Sequence, residues 1–295
     1  MARNRHNWDN ANVNALNAEK WVKYCIDNFL AFIKSSIENS KIYTVDNIPQ
    51  DISEKRYNTT MFSYWNTDTV SAIEKAWDNN PVDQCKIAAL NFASYKNPGG
   101  GYLAGATAQE ECLCSESTLY PVIESFYETF YKPHLKKLNG GLYGDDLIYS
   151  PNILFIRNNK KMQSDVITCA APNYYPIKKY NKFEYKDVVL AMFSRIDHIL
   201  YSAWKEKADI LILGAFGCGV FMNDPVIVSQ IFHLFLASKY NGCFKEAIFA
   251  VPTIRDDKTF ETFKESGEIM LTHLENSKTM EETHEKIPEL IKYLI

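Results

Sequence analysis

A chain of 295 residues, 46% hydrophobic and 23% charged, has the composition of a globular protein with one large core or two small ones. Its net charge of -4 leaves no global basic field that would point to duplex nucleic acid. The seven cysteines are odd in number and irregularly spaced, which argues against a disulfide framework and a zinc site and reads as buried thiols of a reducing compartment.

Residues 1–16 are rich in Asn and poor in apolar side chains, and they read as a flexible arm. They lack the apolar stretch of a signal peptide, and no apolar run reaches the length of a membrane span, so a cytoplasmic protein is expected (nuclear, should the host be a eukaryote). Val22, Cys25, Ile26, Phe29, Ile33 and Ile37 then recur at helical spacing. Asn66-Thr67-Asp68 is a capping cluster for a second helix through Val70 to Trp77. Ile87 to Ala93 is a short apolar run of strand length, and a helix is expected from Leu119 to Tyr131. Ile153 to Ile156 and Val166 to Cys169 are further strand candidates. Tyr185, Val189, Met192, Ile196, Ile199 and Ala203 mark one face of a long helix. Ile210 to Leu213 is a very apolar strand, Asp224-Pro225 opens another helix, and Ile248 to Val251 is the last clear strand. Apolar strands between helices predict an α/β three-layer architecture with the sheet buried on both faces. The expected organisation is an arm over 1–16, one domain over 17–265 including N-terminal helices, and a charged helical extension over 266–295.

Two strands run straight into glycine-rich loops, and ligands of α/β sheets bind beyond the carboxyl ends of strands. The first loop holds Asn97-Pro98-Gly99-Gly100-Gly101, and the second is Gly214-Ala215-Phe216-Gly217-Cys218-Gly219-Val220-Phe221. Three glycines in a row let backbone amides approach a ligand closely and can form a nest for phosphate oxygens. Neither loop has the Lys-Ser/Thr of a P-loop, and the second reads G-x-x-G-x-G, not the GxGxxG of a dinucleotide site. Seven residues after the triple glycine stands Gln109-Glu110-Glu111. Adjacent glutamates ordinarily mark a solvated helix start, but Ala106, Ala108 and Leu113 around this pair suit burial of one carboxylate. Burial and a like-charged neighbour raise a carboxyl pKa, which lets a glutamate donate a proton near neutral pH.

GGG, seven residues, then QEE resembles the signature of poly(ADP-ribose) glycohydrolases of the shorter, bacterial type, which are built on a macrodomain core. Asn91-Phe92-Ala93-Ser94 before the loop and Leu119-Tyr120-Pro121 after it fit the catalytic segment of that family. The second glycine loop with Asn223-Asp224-Pro225 resembles its diphosphate loop, and Thr168-Cys169-Ala170-Ala171-Pro172-Asn173 its intervening loop. The resemblance spans about residues 17–260 and departs at Ser115-Glu116, where such proteins often carry a basic residue.

The resemblance implies hydrolysis of ribose–ribose O-glycosidic bonds in poly(ADP-ribose), releasing ADP-ribose mainly from chain ends. It implies no metal and no cofactor. Its partners would be poly(ADP-ribose), ADP-ribose and ADP-ribosylated proteins, with no membrane. By the same resemblance Glu111 is the catalytic acid–base, and Glu110 orients the sugar and raises the pKa of Glu111. Gln109 belongs to the binding set, and Asn97 bonds the distal ribose. Gly99, Gly100 and Gly101 with Gly217, Cys218, Gly219 and Val220 cradle the diphosphate, and Phe221 packs on the terminal unit. Tyr174 and Tyr175 are candidates to stack on adenine, the six histidines are expected to be satisfied or at the surface, and Arg157, Lys160 and Lys161 to mark a solvated turn. The alternatives are a hydrolase of mono-ADP-ribosylated protein and a non-catalytic ADP-ribose reader, which would not need the glutamates. A nucleotide-dependent oxidoreductase lacks its fingerprint here.

Overall fold

A computed structural model describes residues 2–44, 48–80, 85–253 and 258–276. The chain opens with α1 (Ala2–Asn39), β1 (Lys41–Tyr43), β2 (Met61–Trp65), α2 (Thr69–Asn79) and β3 (Ile87–Phe92). The chain continues with α3 (Gln109–Ser115), α4 (Leu119–Glu124) and a short α5 (Lys132–His134). Then come β4 (Leu147–Arg157), β5 (Lys160–Cys169), α6 (Tyr174–Tyr180), α7 (Tyr185–Lys205), β6 (Ile210–Leu213), α8 (Pro225–Ala237), β7 (Glu246–Ala250) and α9 (Thr259–Asn276). Among the described residues the strands form one seven-stranded sheet in the order β1-β4-β5-β3-β6-β7-β2. The β1-β4-β5 end is antiparallel, and β5-β3-β6-β7-β2 is parallel.

Strand alternation builds the two faces. In β3, β6 and β7, Ala88, Leu90, Leu211, Leu213, Ala247 and Phe249 enter one core, with Ile196 and Ile199 of α7 and Phe232 and Phe235 of α8. Their neighbours Ile87, Ala89, Ile210, Ile212, Ile248 and Ala250 enter the other, with Ile73 of α2, Leu113 of α3, Val122 of α4 and Cys25 of α1. This is the expected three-layer, macrodomain-like α/β core. Asp68 caps α2 by accepting from the Ser71 amide at 2.9 Å, and Asp224 caps α8 from the Val226 amide at 2.9 Å. Among the described residues no helix is long and apolar enough to cross a membrane.

Four sequence expectations change. The stretch from 1 to 16, expected as a flexible arm, is helical from Ala2 as part of α1, whose backbone leaves helical geometry only at Phe29. Its small residues are the reason: a Cβ added at Gly105 would lie 2.1 Å from the Ala11 carbonyl oxygen, so helix and loop touch backbone to backbone. The expected helix from Leu119 to Tyr131 breaks after Glu124 and resumes as a π-helical turn, Tyr127–Tyr131. The two strand candidates at 153–156 and 166–169 belong to one long hairpin whose turn, Asn158-Asn159, has positive φ at both residues. The edge strands β1 and β2 went unseen because they are short and partly exposed. Of the C-terminal extension, residues up to 276 belong to α9, and 277–295 lie outside the described residues.

α9 docks through a glycine. A Cβ at Gly267 would sit 2.3 Å from the ring of His233, which is fully buried and stacks on Phe249 with centroids 4.6 Å apart. The Tyr64 hydroxyl lies 2.7 Å from His233 Nε2, and the Ser229 carbonyl 2.7 Å from Nδ1. Burial pulls the His233 pKa from 6.5 down to about 4. The folded state therefore refuses a proton that the unfolded chain accepts. The stability that comes from the neutral ring is complete above about pH 6.5 and is lost as pH falls toward 4, at about 1.4 kcal/mol per pH unit. Denaturant titrations between pH 7 and pH 4 should show this slope, and His233→Gln should flatten it; an unchanged slope in the variant would assign the acid sensitivity elsewhere.

Candidate active site

Alternation along β3 turns Asn91 toward α3, beside Thr168 of β5, its register partner. Asn91 Nδ2 donates to Thr168 Oγ1 at 3.3 Å and to Glu110 Oε1 at 3.2 Å. The Ser94 amide donates to Glu110 Oε2 at 2.7 Å. Gln109 pairs with the backbone at the carboxyl end of β3: its Oε1 accepts from the Phe92 amide at 2.8 Å, and its Nε2 donates to Leu90 O at 2.9 Å and Thr69 Oγ1 at 3.1 Å. The Gln109 amide is thus spent on holding α3 to β3, not turned to a ligand. Asn91 and Ser94 carry the glutamate; the sequence motif included them without a role, because only pairing with β5 and α3 reveals their neighbours.

Glu110 and Glu111 are both buried, at 3% and 8% exposure. Glu111 Oε1 accepts from the Gly101 amide at 2.8 Å, while its Oε2 has no hydrogen-bond partner among the described residues. The triple glycine is what lets the carboxylates come so close. Gly99 and Gly100 have φ of +68° and +59°, and a Cβ on Gly100 would lie 2.6 Å from Glu111 Oε1 and 3.0 Å from Glu110 Oε2. Burial pushes the Glu110 pKa up to about 8, the charge of Glu111 adds to it, and hydrogen bonds from Ser94, Asn91 and Gly99 oppose it. Near neutral pH the two act as a pair that retains a proton.

The second loop leaves β6, the strand beside β3, so both loops emerge side by side at the carboxyl end of the sheet. Asn223 Nδ2 pins it, donating to Gly217 O at 3.0 Å and to Pro172 O of the intervening loop at 2.8 Å. Gly217 has φ of +72°, and a Cβ there would lie 2.5 Å from that of Ala171; at Gly219 a Cβ would meet nothing within 4 Å. Cys218 is half-buried, and Val220 is 78% exposed. Phe221 is half-buried, packed against the rim of the core and edge-on to Tyr143 at 6.3 Å. Tyr143 stacks on Tyr95 of the first loop at 4.4 Å, which joins the two loops through aromatic rings. Tyr174 packs on Tyr185, while Tyr175 is exposed with its amide on Phe221 O at 3.2 Å. Asn97 is exposed and lines a cavity of about 650 Å³ with Gly100, Gly101 and Tyr120. Among the described residues no His, Cys, Asp and Glu side chains gather into a metal-binding set.

Residues 13–158, which include the first loop and both glutamates, match the family described as microbial-type PARG, catalytic domain. The chain belongs to the microbial-type poly(ADP-ribose) glycohydrolases. The poly(ADP-ribose) glycohydrolase of Thermomonospora curvata shares the fold at a TM-score of 0.79 and 24% identity, over 86% of this chain and 99% of that one. The Deinococcus radiodurans enzyme, solved in complex with ADP-ribose, matches at a TM-score of 0.73 and 28% identity, over 81% of this chain and 98% of that one. No curated protein matches the chain.

In this microbial-type PARG the acid at Glu116 is part of the scaffold. Arg157 of β4 donates from Nη2 to Glu116 Oε1 at 2.7 Å and to Asp68 Oδ1 at 3.2 Å, and its Nε also bonds Glu116. Asp68 caps α2 and Glu116 ends α3, so one guanidinium ties α3 to α2. Arg157 is therefore no solvated turn residue, and Lys160 pairs with Glu74 at 3.6 Å and with Asp78; Asn158, Asn159 and Lys161 are exposed.

Proposed function

We infer that this microbial-type PARG hydrolyses the ribose–ribose bonds of poly(ADP-ribose) and releases ADP-ribose, acting mainly at chain ends. The observation that carries the reading is the buried Glu110–Glu111 pair pinned on the triple-glycine loop by the Gly101 amide, with the second glycine loop alongside on the neighbouring strand. The family match and the ADP-ribose complex of the Deinococcus radiodurans enzyme support it.

Glu111 protonates the leaving ribose oxygen as the glycosidic C–O bond breaks, then takes a proton from the water that adds to the anomeric carbon. Charge builds on an oxocarbenium-like sugar in between. Glu110 orients the leaving sugar, and as a buried carboxyl beside Glu111 it helps the pair hold the proton that Glu111 delivers. Asn97 bonds the distal ribose. The amides of Gly99 to Gly101 and of Gly217 to Val220 receive the diphosphate, and Phe221 packs against the terminal unit. ADP-ribosylated proteins supply the polymer in a cytoplasmic setting, a placement supported by seven cysteines that are all free thiols.

Incubation with poly(ADP-ribose) and separation of the products tests this: free ADP-ribose should accumulate, and intact polymer would remove the reading. Mono-ADP-ribosylated protein as a parallel substrate separates polymer cleavage from removal of the last unit. The rate should fall as pH rises through about 8, where the Glu110–Glu111 pair loses its shared proton.

A further inference from the structure

The first half of α1 faces the catalytic loop. Asn14, Ala18 and Trp21 recur at the i, i+4, i+7 spacing of one helix face. Asn14 Nδ2 donates to Gly105 O at 3.3 Å, and Trp21 Nε1 donates to Ser117 O at 3.0 Å. Between this face and α3 lies a cavity of about 330 Å³, lined among others by Asn14, Asn17, Trp21, Thr107, Glu111 and Ser115.

The chemistry of that lining is selective. It offers carboxamides and hydroxyls, an indole and one carboxylate, and no Lys or Arg is among the described lining residues. A phosphate has no counter-charge there and would meet the carboxylate of Glu111. A neutral ring with several hydroxyls finds hydrogen-bond partners on the polar walls and an aromatic surface for its C–H faces. The volume suits a single sugar with part of its nucleoside, near the lower end of ordinary ligand sites.

Position argues the same way. A general acid must come within hydrogen-bond reach of the atom it protonates, about 2.6–3.2 Å. The oxygen protonated by Glu111 belongs to the departing sugar, so that sugar must border Glu111. The larger cavity along the triple glycine is lined by Asn97, Gly100 and Gly101 but not by Glu111; the cavity under α1 is lined by Glu111 itself. Glu111 holds Gly101 with Oε1 and has Oε2 unpaired at the end of a side chain that is 8% exposed.

We propose that the cavity between α1 and the catalytic loop is the leaving-group subsite, which holds the ribose of the departing poly(ADP-ribose) chain against Glu111. This rests on the hydrolase reading above. Glu111 gives its proton to the departing ribose oxygen, the glycosidic bond breaks, and water adds to the anomeric carbon and returns a proton to Glu111. The α1 face thereby sets the preference for a sugar over other leaving groups.

Asn17→Leu tests the subsite, because Asn17 lies on an exposed helix turn where Leu is the better helix former. The variant and the wild type are compared on poly(ADP-ribose) and on an ADP-ribose bearing 4-nitrophenol at the same anomeric carbon, a leaving group that needs neither a proton nor a sugar subsite. The ratio of kcat/KM for polymer to that for the aryl substrate should fall about tenfold in the variant. A ratio within about twofold of wild type overturns the subsite, whether both rates fall together or neither does. Wild-type protein that leaves the polymer intact overturns the hydrolase reading, and the subsite with it.

Discussion

Glu111→Gln should lower polymer hydrolysis by about 10²- to 10⁴-fold, roughly 3 to 5 kcal/mol of transition-state stabilisation, and leave ADP-ribose binding in place. The substitution is nearly isosteric. A carboxamide oxygen can still accept from the Gly101 amide, the 2.8 Å bond that pins the side chain to the loop. What the amide cannot do is give up and regain a proton. Two measurements decide: release of ADP-ribose from polymer, and calorimetric titration with ADP-ribose. Turnover within a few-fold of wild type would remove Glu111 from its role. Loss of both binding and turnover would point to a collapsed loop.

Gly100→Ala should cost about 10²-fold in turnover, with a smaller effect on stability. At φ of +59° an alanine is strained by about 1 kcal/mol. The larger effect is local. The new methyl would stand 2.6 Å from Glu111 Oε1 and 3.0 Å from Glu110 Oε2, and both carboxylates must move. Displacements of that size at a reacting group are expensive, whereas the fold needs only a shifted loop. Gly219→Ala is the matching control for stability, because a Cβ there meets nothing within 4 Å and its Tm should match wild type. Full turnover in Gly100→Ala would mean that the carboxylates tolerate other positions and that close approach is not the reason for the glycine.

The two results bear on different kinds of information. Glycine runs, apolar runs and caps are local features, and they are legible along the chain. β3, β6 and β7 stand out as short apolar runs because parallel strands buried on both faces have no polar side to show. Asp68 and Asp224 announce their helices because a cap works through residues two or three positions away. The triple glycine and Gln109-Glu110-Glu111 carried the family resemblance in the same local way. That the glycines serve the carboxylates, whatever they do for a diphosphate, needed the loop folded back onto α3.

Other features depend on partners distant in sequence. Asn91 stood in the motif without a role until β5 brought Thr168 beside it and α3 brought Glu110 over it. Glu116 looked like a departure from a basic position; Arg157, 41 residues away, makes it half of a brace. The Asn-rich start looked unable to pack, because helix–loop contact through Ala11 and Gly105 relies on small size and not on apolar content. The sequence by itself determined the buried strands, the two loops and the carboxylate pair. The tertiary structure decided how deeply the two carboxyls are buried, which donors hold them and that burial raises the Glu110 pKa. A pKa depends on burial and on neighbouring charge and donors, and the chain acquires those only once it is folded.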